Sequence, residues 1–170
     1  MDESKTKLLE ALEKAIRAEV EGHHFYKMAA QSTEDEKGRK VFQQLADDEV
    51  KHARFLQAQY DSVKNTGSVD LTVQLGEPTK FGGEHPIFSE KIKDRIKSAH
   101  YEMTALSIGA QLELNAVKFY RTEAEAASDP EVAKLLRELA DWESVHYRAL
   151  LGQQDALKQD YWTGGGFTPF

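Results

Sequence analysis

The sequence predicts an all-α fold, an antiparallel four-helix bundle with one long crossover between its second and third helices. Apolar residues recur at helical spacing along four long segments, a stretch rich in Gly and Pro interrupts them mid-chain, and the two halves repeat each other. A chain of 170 residues can bury one sizeable core, so we expect a single domain.

The first half is predicted to form a helical hairpin. Its first helix covers residues 4–32, where apolar residues recur every three or four positions. Its second covers residues 33–65, and Thr33 and Glu36 have the spacing of a capping box. Gly67 gives a stop signal, because glycine readily adopts the left-handed conformation that ends many helices.

The second half follows the same plan after a long connection. Residues 67–89 hold four Gly and two Pro and are predicted to cross between the hairpins. The sequence SDPE starts the fourth helix, with Ser128 or Asp129 as its cap. The predicted domain is residues 1–160, with helical hairpins at 4–66 and 98–158. The crossover between them, residues 67–97, includes a short helix at 90–97. The third helix is predicted at 98–127, and the fourth ends near residue 158.

A glycine-rich tail, residues 161–170, is predicted to lie outside the last helix. It carries four aromatic residues, which would be unfavourable on a free end in water. We expect them to dock on the bundle or on a second copy of the chain. They are Tyr161, Trp162, Phe167 and Phe170.

Composition excludes several classes of function. The net charge of -7 and the lack of a basic cluster argue against a nucleic-acid partner. No apolar run approaches the roughly 20 residues that a membrane helix needs, and the N-terminus lacks the apolar core of a secretory signal. We therefore expect a cytoplasmic protein with no membrane partner. With no Cys in the chain, any metal must be held by His and carboxylates.

The internal repeat has an offset of 94 positions and needs no gap. A single Glu-x-x-His match is weak, because such pairs arise by chance. Here both halves carry the match, and both carry another Glu 30 residues upstream. The simplest interpretation is two helical hairpins that face each other across a pseudo-twofold axis. The repeat pairs Glu19 with Glu113, Tyr26 with Tyr120, Glu49 with Glu143, and His52 with His146.

These residues predict a site for two metal ions inside the bundle. Residues three apart share a helix face, so each Glu-x-x-His pair projects together, while Glu19 and Glu113 add one carboxylate each. Four buried carboxylates would repel one another, and two divalent cations would make the set neutral. The alternative, a set of solvated surface charges, is disfavoured by the apolar residues on the same stripes. Iron, manganese and zinc all accept such ligands.

With these motifs the chain resembles the rubrerythrin branch of the ferritin-like superfamily. The segments AEVEGHHFY, LADDEVKH, QLELNAVKFY and LADWESVH carry the resemblance, which covers about residues 4–158. It implies a carboxylate-bridged di-iron centre, with Tyr26 and Tyr120 as hydrogen-bond donors to ligand carboxylates. Carried over by position, the implied ligands are Glu19, Glu49, His52, Glu113, Glu143 and His146.

The resemblance also implies an activity, the reduction of hydrogen peroxide to water in oxidative-stress defence. Full-length relatives append a rubredoxin-like domain that holds iron with four cysteines. Because this chain has no Cys, we expect an external electron donor such as a rubredoxin-like protein, and we expect a homodimer. The family's third helix often has a further Glu three residues after the position of Glu113. This chain has Ala116 there, which implies a more symmetric site.

Three alternatives stay open from the sequence. The first is a ferroxidase or iron-storage protein that reacts with dioxygen, although Val50 replaces the haem-ligating Met of bacterioferritin. The second is a di-iron hydroxylase of quinones, which would need an apolar surface facing a membrane. The third is a metal-binding bundle with no enzymatic activity.

Other residues near the motifs have separate expectations. His23, four residues after Glu19, is expected to be a partly exposed helix residue. Asp48 either orients the His of the opposite motif or lies at the surface, and its counterpart Trp142 makes any such bond one-sided. The remaining histidines are expected at the surface. They are His24, His85 and His100.

Overall fold

The computed structural model describes residues 3–165, apart from the side chains of residues 97 and 98, and every regular element in this range is helical. The elements are α1 (Glu3–Ser32), α2 (Glu36–Thr66), a 3₁₀ helix (Glu90–Ser98), α3 (His100–Ala126) and α4 (Pro130–Gly165). The predicted all-α bundle of four long helices with a long connection in its middle is confirmed. Within residues 3–165, no helix is long and apolar enough to span a membrane.

The helices pack as two hairpins. α1 packs along α2 and α3 packs along α4, while the hairpins meet each other through α1 and α3. Each helix turns one stripe inward, because its buried residues recur at three- and four-residue spacing. In α2 this stripe includes Phe42, Leu45, Glu49, His52 and Leu56, all of them buried. Polar and apolar residues therefore share one inward face.

Two apolar clusters lie on either side of the buried polar residues. One cluster includes Tyr26 and Leu150, and the other includes Leu12 and Leu139. Along each helix, the acidic and imidazole side chains fall between the positions that belong to the two clusters. Each large apolar side chain buried in this way contributes about 1.5–3 kcal/mol, which offsets the cost of burying charged groups between them.

Short-range hydrogen bonds fix the helix ends. The predicted cap of α2 is wrong, because Asp35 is the N-cap and its carboxylate accepts from a backbone N–H of the first turn at 2.8 Å. Thr33 is buried and donates instead to a carboxylate of α3. Gly67 ends α2 in the left-handed conformation with φ 88°, as predicted. Asp129 precedes α4 and accepts from the backbone N–H of the second helical residue, Glu131, at 2.9 Å, also as predicted.

The crossover is fastened to the bundle by side chains of α4 and α2. Gln153 of α4 accepts hydrogen bonds from the backbone N–H groups of Ile87 and Phe88 at 2.9 and 3.0 Å. Phe88 is fully buried, and a Cβ on Gly38 of α2 would overlap its ring, which accounts for the glycine there. The crossover is thus positioned to bring its own residues to the middle of the bundle.

The predicted end of the last helix is wrong, because α4 continues past residue 158 to Gly165. Helix propensity is a weak prior, so glycine content alone does not end a helix. Tyr161 lies four residues after the buried Leu157 and lines a cavity of about 200 Å³. Tyr161 and Trp162 stay 50 % and 43 % exposed, so their docking on a second copy of the chain remains a prediction. Phe167 and Phe170 lie outside the described residues.

Candidate metal centre

The four helices bring carboxylates and imidazoles together in the middle of the bundle. α1 and α3 each contribute one Glu, and α2 and α4 each contribute a Glu and a His three residues later. None of these six side chains belongs to a residue more than 3 % exposed. The structure therefore brings together all the predicted ligands, which are Glu19, Glu49, His52, Glu113, Glu143 and His146.

The ligand atoms form two groups that share two carboxylates. One group is Glu19, Glu49, His52 and Glu143, and the other is Glu49, Glu113, Glu143 and His146. Within each group, one ligand atom per residue lies within 4.8 Å of all the others. Each group thus has one Glu of its own, one His, and the shared pair Glu49 and Glu143. This arrangement suits two cations bridged by carboxylates.

Both histidines turn Nδ1 towards the carboxylates. His52 Nδ1 lies 2.8 Å from Glu143 Oε1 and 3.4 Å from Glu19 Oε2. His146 Nδ1 lies 3.4 Å from Glu143 Oε2 and 3.7 Å from Glu113 Oε1. A histidine binds a metal through an unprotonated ring nitrogen, so Nδ1 is the atom that would ligate in each half.

Several buried atoms of this cluster have no hydrogen-bond partner among the described residues. They are both carboxylate oxygens of Glu143 and both ring nitrogens of His52 and His146. Leaving a buried polar atom without a partner costs about 1–3 kcal/mol, and more when the group is charged. Metal ions would supply the missing partners for the atoms that face the cluster. The residues present therefore fit a di-metal centre with oxygen and nitrogen donors.

Known proteins resemble this chain in sequence and in fold. A model of the family described as Rubrerythrin matches residues 10–154. The chain belongs to the rubrerythrin family. A solved structure of a hypothetical protein from Pyrococcus furiosus is 29 % identical, with coverage of 89 % of this chain and 90 % of that chain and a TM-score of 0.56. The search of curated proteins found no match.

Acidic and imidazole groups of this rubrerythrin-family site compete for protons. Burial raises the pKa of Glu49 and Glu113 well above the ordinary range, and repulsion from neighbouring carboxylates adds to the shift. Although burial opposes it, the adjacent carboxylates raise the pKa of His52 and bring that of His146 to about 10. The two histidines likewise hold the pKa of Glu143 low against its burial. Bound cations would replace these protons and keep the carboxylates ionised.

Two tyrosines hold the carboxylates that are not shared. Tyr26 of α1 donates a hydrogen bond to Glu113 Oε1 of α3, and Tyr120 of α3 donates to Glu19 Oε1 of α1. Burial raises the pKa of both hydroxyls well above its ordinary value, and the nearby carboxylates add to the effect. Both groups therefore stay protonated and act as donors, which is the contact that the family resemblance implies.

Two glycines lie close to the site, and neither is among the residues that the repeat pairs. A Cβ on Gly22 would lie 3.4 Å from Cδ of the shared Glu49. A Cβ on Gly109 would lie 3.2 Å from the Tyr26 hydroxyl and 3.3 Å from Leu150 Cδ1. A glycine inside a strongly helical segment is the sequence signal for such a close approach.

Asp48 is fully buried and faces a histidine of the opposite motif. Its Oδ2 lies 3.4 Å from His146 Nε2 and accepts a hydrogen bond from Thr79 of the crossover. Of the two roles expected for Asp48, this geometry supports the one that orients the histidine. Its counterpart Trp142 meets the ring of His52 at 85°, with 5.0 Å between ring centroids. The contact between Asp48 and the opposite histidine is one-sided, as the repeat predicts.

Crossover residues on the His146 side had no signal in the sequence. Thr79 bonds to Asp48, and the Phe81 ring packs at 78° to His146 with 6.1 Å between centroids. Neither residue belongs to a helical pattern, so periodicity does not locate them. The crossover therefore covers one end of the site in a way that only the folded chain reveals.

A cavity of about 330 Å³ leads between α1 and α3 to the cluster. Its walls include Ala18, Leu112 and Ala116, and the unshared and the shared carboxylates of the cluster also line it. Ala116 thus faces the cavity at the position where relatives often have a further Glu. Molecules as small as hydrogen peroxide or dioxygen have room to enter.

The other histidines lie outside the cluster. His24 and His100 are exposed, as predicted. His23 is partly exposed, and its Nδ1 lies 2.9 Å from the carbonyl oxygen of Ala46, which accounts for it without a metal. The prediction for His85 is wrong, because this residue is only 3 % exposed.

His85 fastens the crossover to α4. The side-chain oxygen of Gln153 is occupied by two backbone N–H groups, so its amide nitrogen donates to His85 Nδ1 at 2.8 Å. His85 Nε2 lies 3.3 Å from Asp160 Oδ2, and neither atom has a hydrogen-bond partner among the described residues. Glu84, His85 and Asp160 each place one ligand atom within 4.8 Å of the others, so this group has the donors of a metal site apart from the six predicted ligands.

Proposed function

We propose that the protein is a cytoplasmic di-iron oxidoreductase that reduces hydrogen peroxide to water with electrons from an external donor. The observation that carries the proposal is the pair of four-residue groups that share Glu49 and Glu143. Membership of the rubrerythrin family supports iron as the metal and oxidoreduction as the class of reaction. A rubredoxin-like protein is the proposed donor, and a homodimer is the proposed assembly.

Each iron would be held by one carboxylate of its own, one imidazole Nδ1 and the two shared carboxylates. The chemistry that the metal pair supplies when bound is a two-electron reduction of the O–O bond, in which one peroxide and two protons give two waters. The proposed external donor then returns two electrons to the site. Manganese or zinc would fit the same donors, but zinc has no redox chemistry.

The chain itself positions the ligands and restricts access. Tyr26 and Tyr120 hold the unshared carboxylates by hydrogen bonds, which favours one orientation of each. Burial of the cluster keeps bulk water away from the reacting atoms. The cavity between α1 and α3 is the proposed entry route for the oxidant.

Iron oxidation by dioxygen is the second candidate. It is favoured by Ala116, which leaves the two groups with the same ligand types and adds no further carboxylate at the cavity. Both candidates start from the same Fe(II) site, so their difference lies in the oxidant that reacts faster.

Stopped-flow absorption tests the proposal. The metal-free protein is loaded with two Fe(II) per chain without oxygen and mixed with equal concentrations of hydrogen peroxide or dioxygen. Faster oxidation by peroxide is the expected result. Faster oxidation by dioxygen would overturn the proposal in favour of the second candidate, and slow reaction with both oxidants would favour a metal-binding bundle with no activity.

A cavity variant checks the entry route. Ala116→Phe places a ring in the cavity, so we expect slower oxidation by peroxide with two irons still bound. The matched control is Ala11→Phe, which fills a different cavity of about 550 Å³ near the start of α1. Equal rates for the two variants would contradict entry between α1 and α3.

A further inference from the structure

We propose that the two metal positions are unequal, and that the position of His146 binds its ion more tightly and fills before the position of His52. This inference rests on the proposed metal centre. It concerns how the residues around the ligands set the order in which the centre is loaded.

The ligands themselves give no reason for a difference. Each position has one unshared Glu, one His bound through Nδ1, and the same two shared carboxylates. The residues behind the unshared carboxylates also match, because Glu19 accepts from Tyr120 and Glu113 accepts from Tyr26. A difference in affinity must therefore come from the far side of the histidines.

The two imidazoles differ in the charge of the side chain that faces Nε2, the ring nitrogen turned away from the ligand cluster. His146 Nε2 faces the buried carboxylate of Asp48 at 3.4 Å. Neither Nε2 makes a hydrogen bond within the described residues, but the neighbour of His52 at the equivalent position is the uncharged indole of Trp142. A carboxylate that accepts the second N–H of a ligating histidine makes the ring a stronger donor, and such partners are worth about 10–100-fold in metal affinity.

Asp48 is held in place and keeps its charge. Its Oδ1 accepts from Lys51 Nζ at 2.6 Å and Gln44 Nε2 at 3.0 Å, and its Oδ2 accepts from Thr79. The Lys51 side chain is 51 % exposed, so water screens the ammonium charge and the ion pair does not cancel the effect of the carboxylate on the ring.

The crossover adds to the same asymmetry. Thr79 and Phe81 cover His146 and its neighbour Asp48, which keeps the contact between Nε2 and Oδ2 away from competing water. The indole of Trp142 shields His52 too, but it offers the ring no anion. The His146 position is thus both covered and supported by a negative charge.

Crystals of the unaltered protein give the most direct test. Metal-free protein is given one equivalent of Co²⁺ per chain, and anomalous scattering at the cobalt edge locates the ion. Cobalt at the His146 position is the expected result. Cobalt at the His52 position, or equal occupancy of both, would overturn the inference. No variant is needed, so a folding defect cannot confuse the result.

Calorimetric titration with Co²⁺ tests the cause. Two steps are expected in the unaltered protein, separated by about tenfold or more in Kd. Asp48→Asn keeps the shape of the side chain and removes its charge, so we expect only the first step to weaken, by about 10–100-fold. Asp47→Asn, at the exposed neighbouring position, is the matched control and should leave both steps unchanged.

The outcomes separate this inference from the proposed centre. Binding of fewer than two Co²⁺ by the unaltered protein would overturn both. Two ions bound with one common affinity, or equal weakening of both steps in Asp48→Asn, would overturn the inequality alone. Circular dichroism of the variant verifies that its helices are intact.

Discussion

Gly109 supports the site by letting α3 approach Tyr26, and its replacement by Ala has an effect that can be worked out from distances. The added Cβ would lie 3.2 Å from both Cε1 and the hydroxyl of Tyr26, and 3.3 Å from Leu150 Cδ1. Crowding of this kind in a packed core costs about 1–3 kcal/mol. Alanine in a helix also gains about 0.5–1 kcal/mol over glycine, which works in the opposite direction.

Gly152→Ala isolates the two contributions. Gly152 also lies within a helix, α4, but a Cβ there meets nothing within 4 Å. The gain in helix propensity is common to both variants, so Gly109→Ala should be less stable than Gly152→Ala by about 1–3 kcal/mol. For a domain of this size the difference corresponds to roughly 2–12 °C in Tm.

Urea and thermal unfolding of the two variants, followed by circular dichroism in the same metal-free buffer, measure this difference. If Gly109→Ala were stabilised as much as Gly152→Ala, the close approach of α3 to Tyr26 would be wrong.

Two further predictions concern the cap of α2 and the tyrosines. Asp35→Ala should cost about 0.5–2 kcal/mol at neutral pH. Hydrogen bonds from Ser89 and Gly38 outweigh burial and lower the pKa of Asp35 below its ordinary 3.8, so this stabilisation is complete above that pH and is lost as the pH falls through the folded-state value. Urea unfolding from pH 7 to pH 2 should therefore show that the unfolding free energies of the unaltered protein and Asp35→Ala converge at low pH. A difference that stays constant with pH would contradict this role of the carboxylate. Tyr26→Phe and Tyr120→Phe should each weaken Co²⁺ binding at one position by about 10–100-fold. Calorimetry would contradict the assignment if either change weakened both positions equally.

The elements and the cluster were predictable because both depend on short, periodic patterns. Helical spacing locates the four long helices, and the repeat of Glu49 and His52 at Glu143 and His146 identifies the inward stripes. A repeat with a fixed offset constrains three-dimensional position, because both copies fold alike. All six predicted ligands consequently come together in the structure.

The parts that were not predictable depend on contacts between distant segments. Thr79 reaches Asp48 across 31 positions, and Gln153 reaches His85 across 68, so neither contact leaves a periodic signal. The end of α4 lies beyond the predicted one because low helix propensity is a weak prior and glycine content alone does not end a helix. The cap of α2 was misplaced by two residues, since Thr33 and Asp35 are both good caps and only the folded chain selects between them.

The central claim is that two metal ions share Glu49 and Glu143, and metal content per chain tests it most directly. Unaltered protein, Glu113→Gln and Glu143→Gln are each equilibrated with two Fe(II) per chain without oxygen, and bound iron is measured by mass spectrometry after circular dichroism confirms the fold. We predict two irons in the unaltered protein, one in Glu113→Gln, and none in Glu143→Gln, because the last variant removes a ligand of both ions. Equal iron content in the two variants would contradict the shared-carboxylate centre.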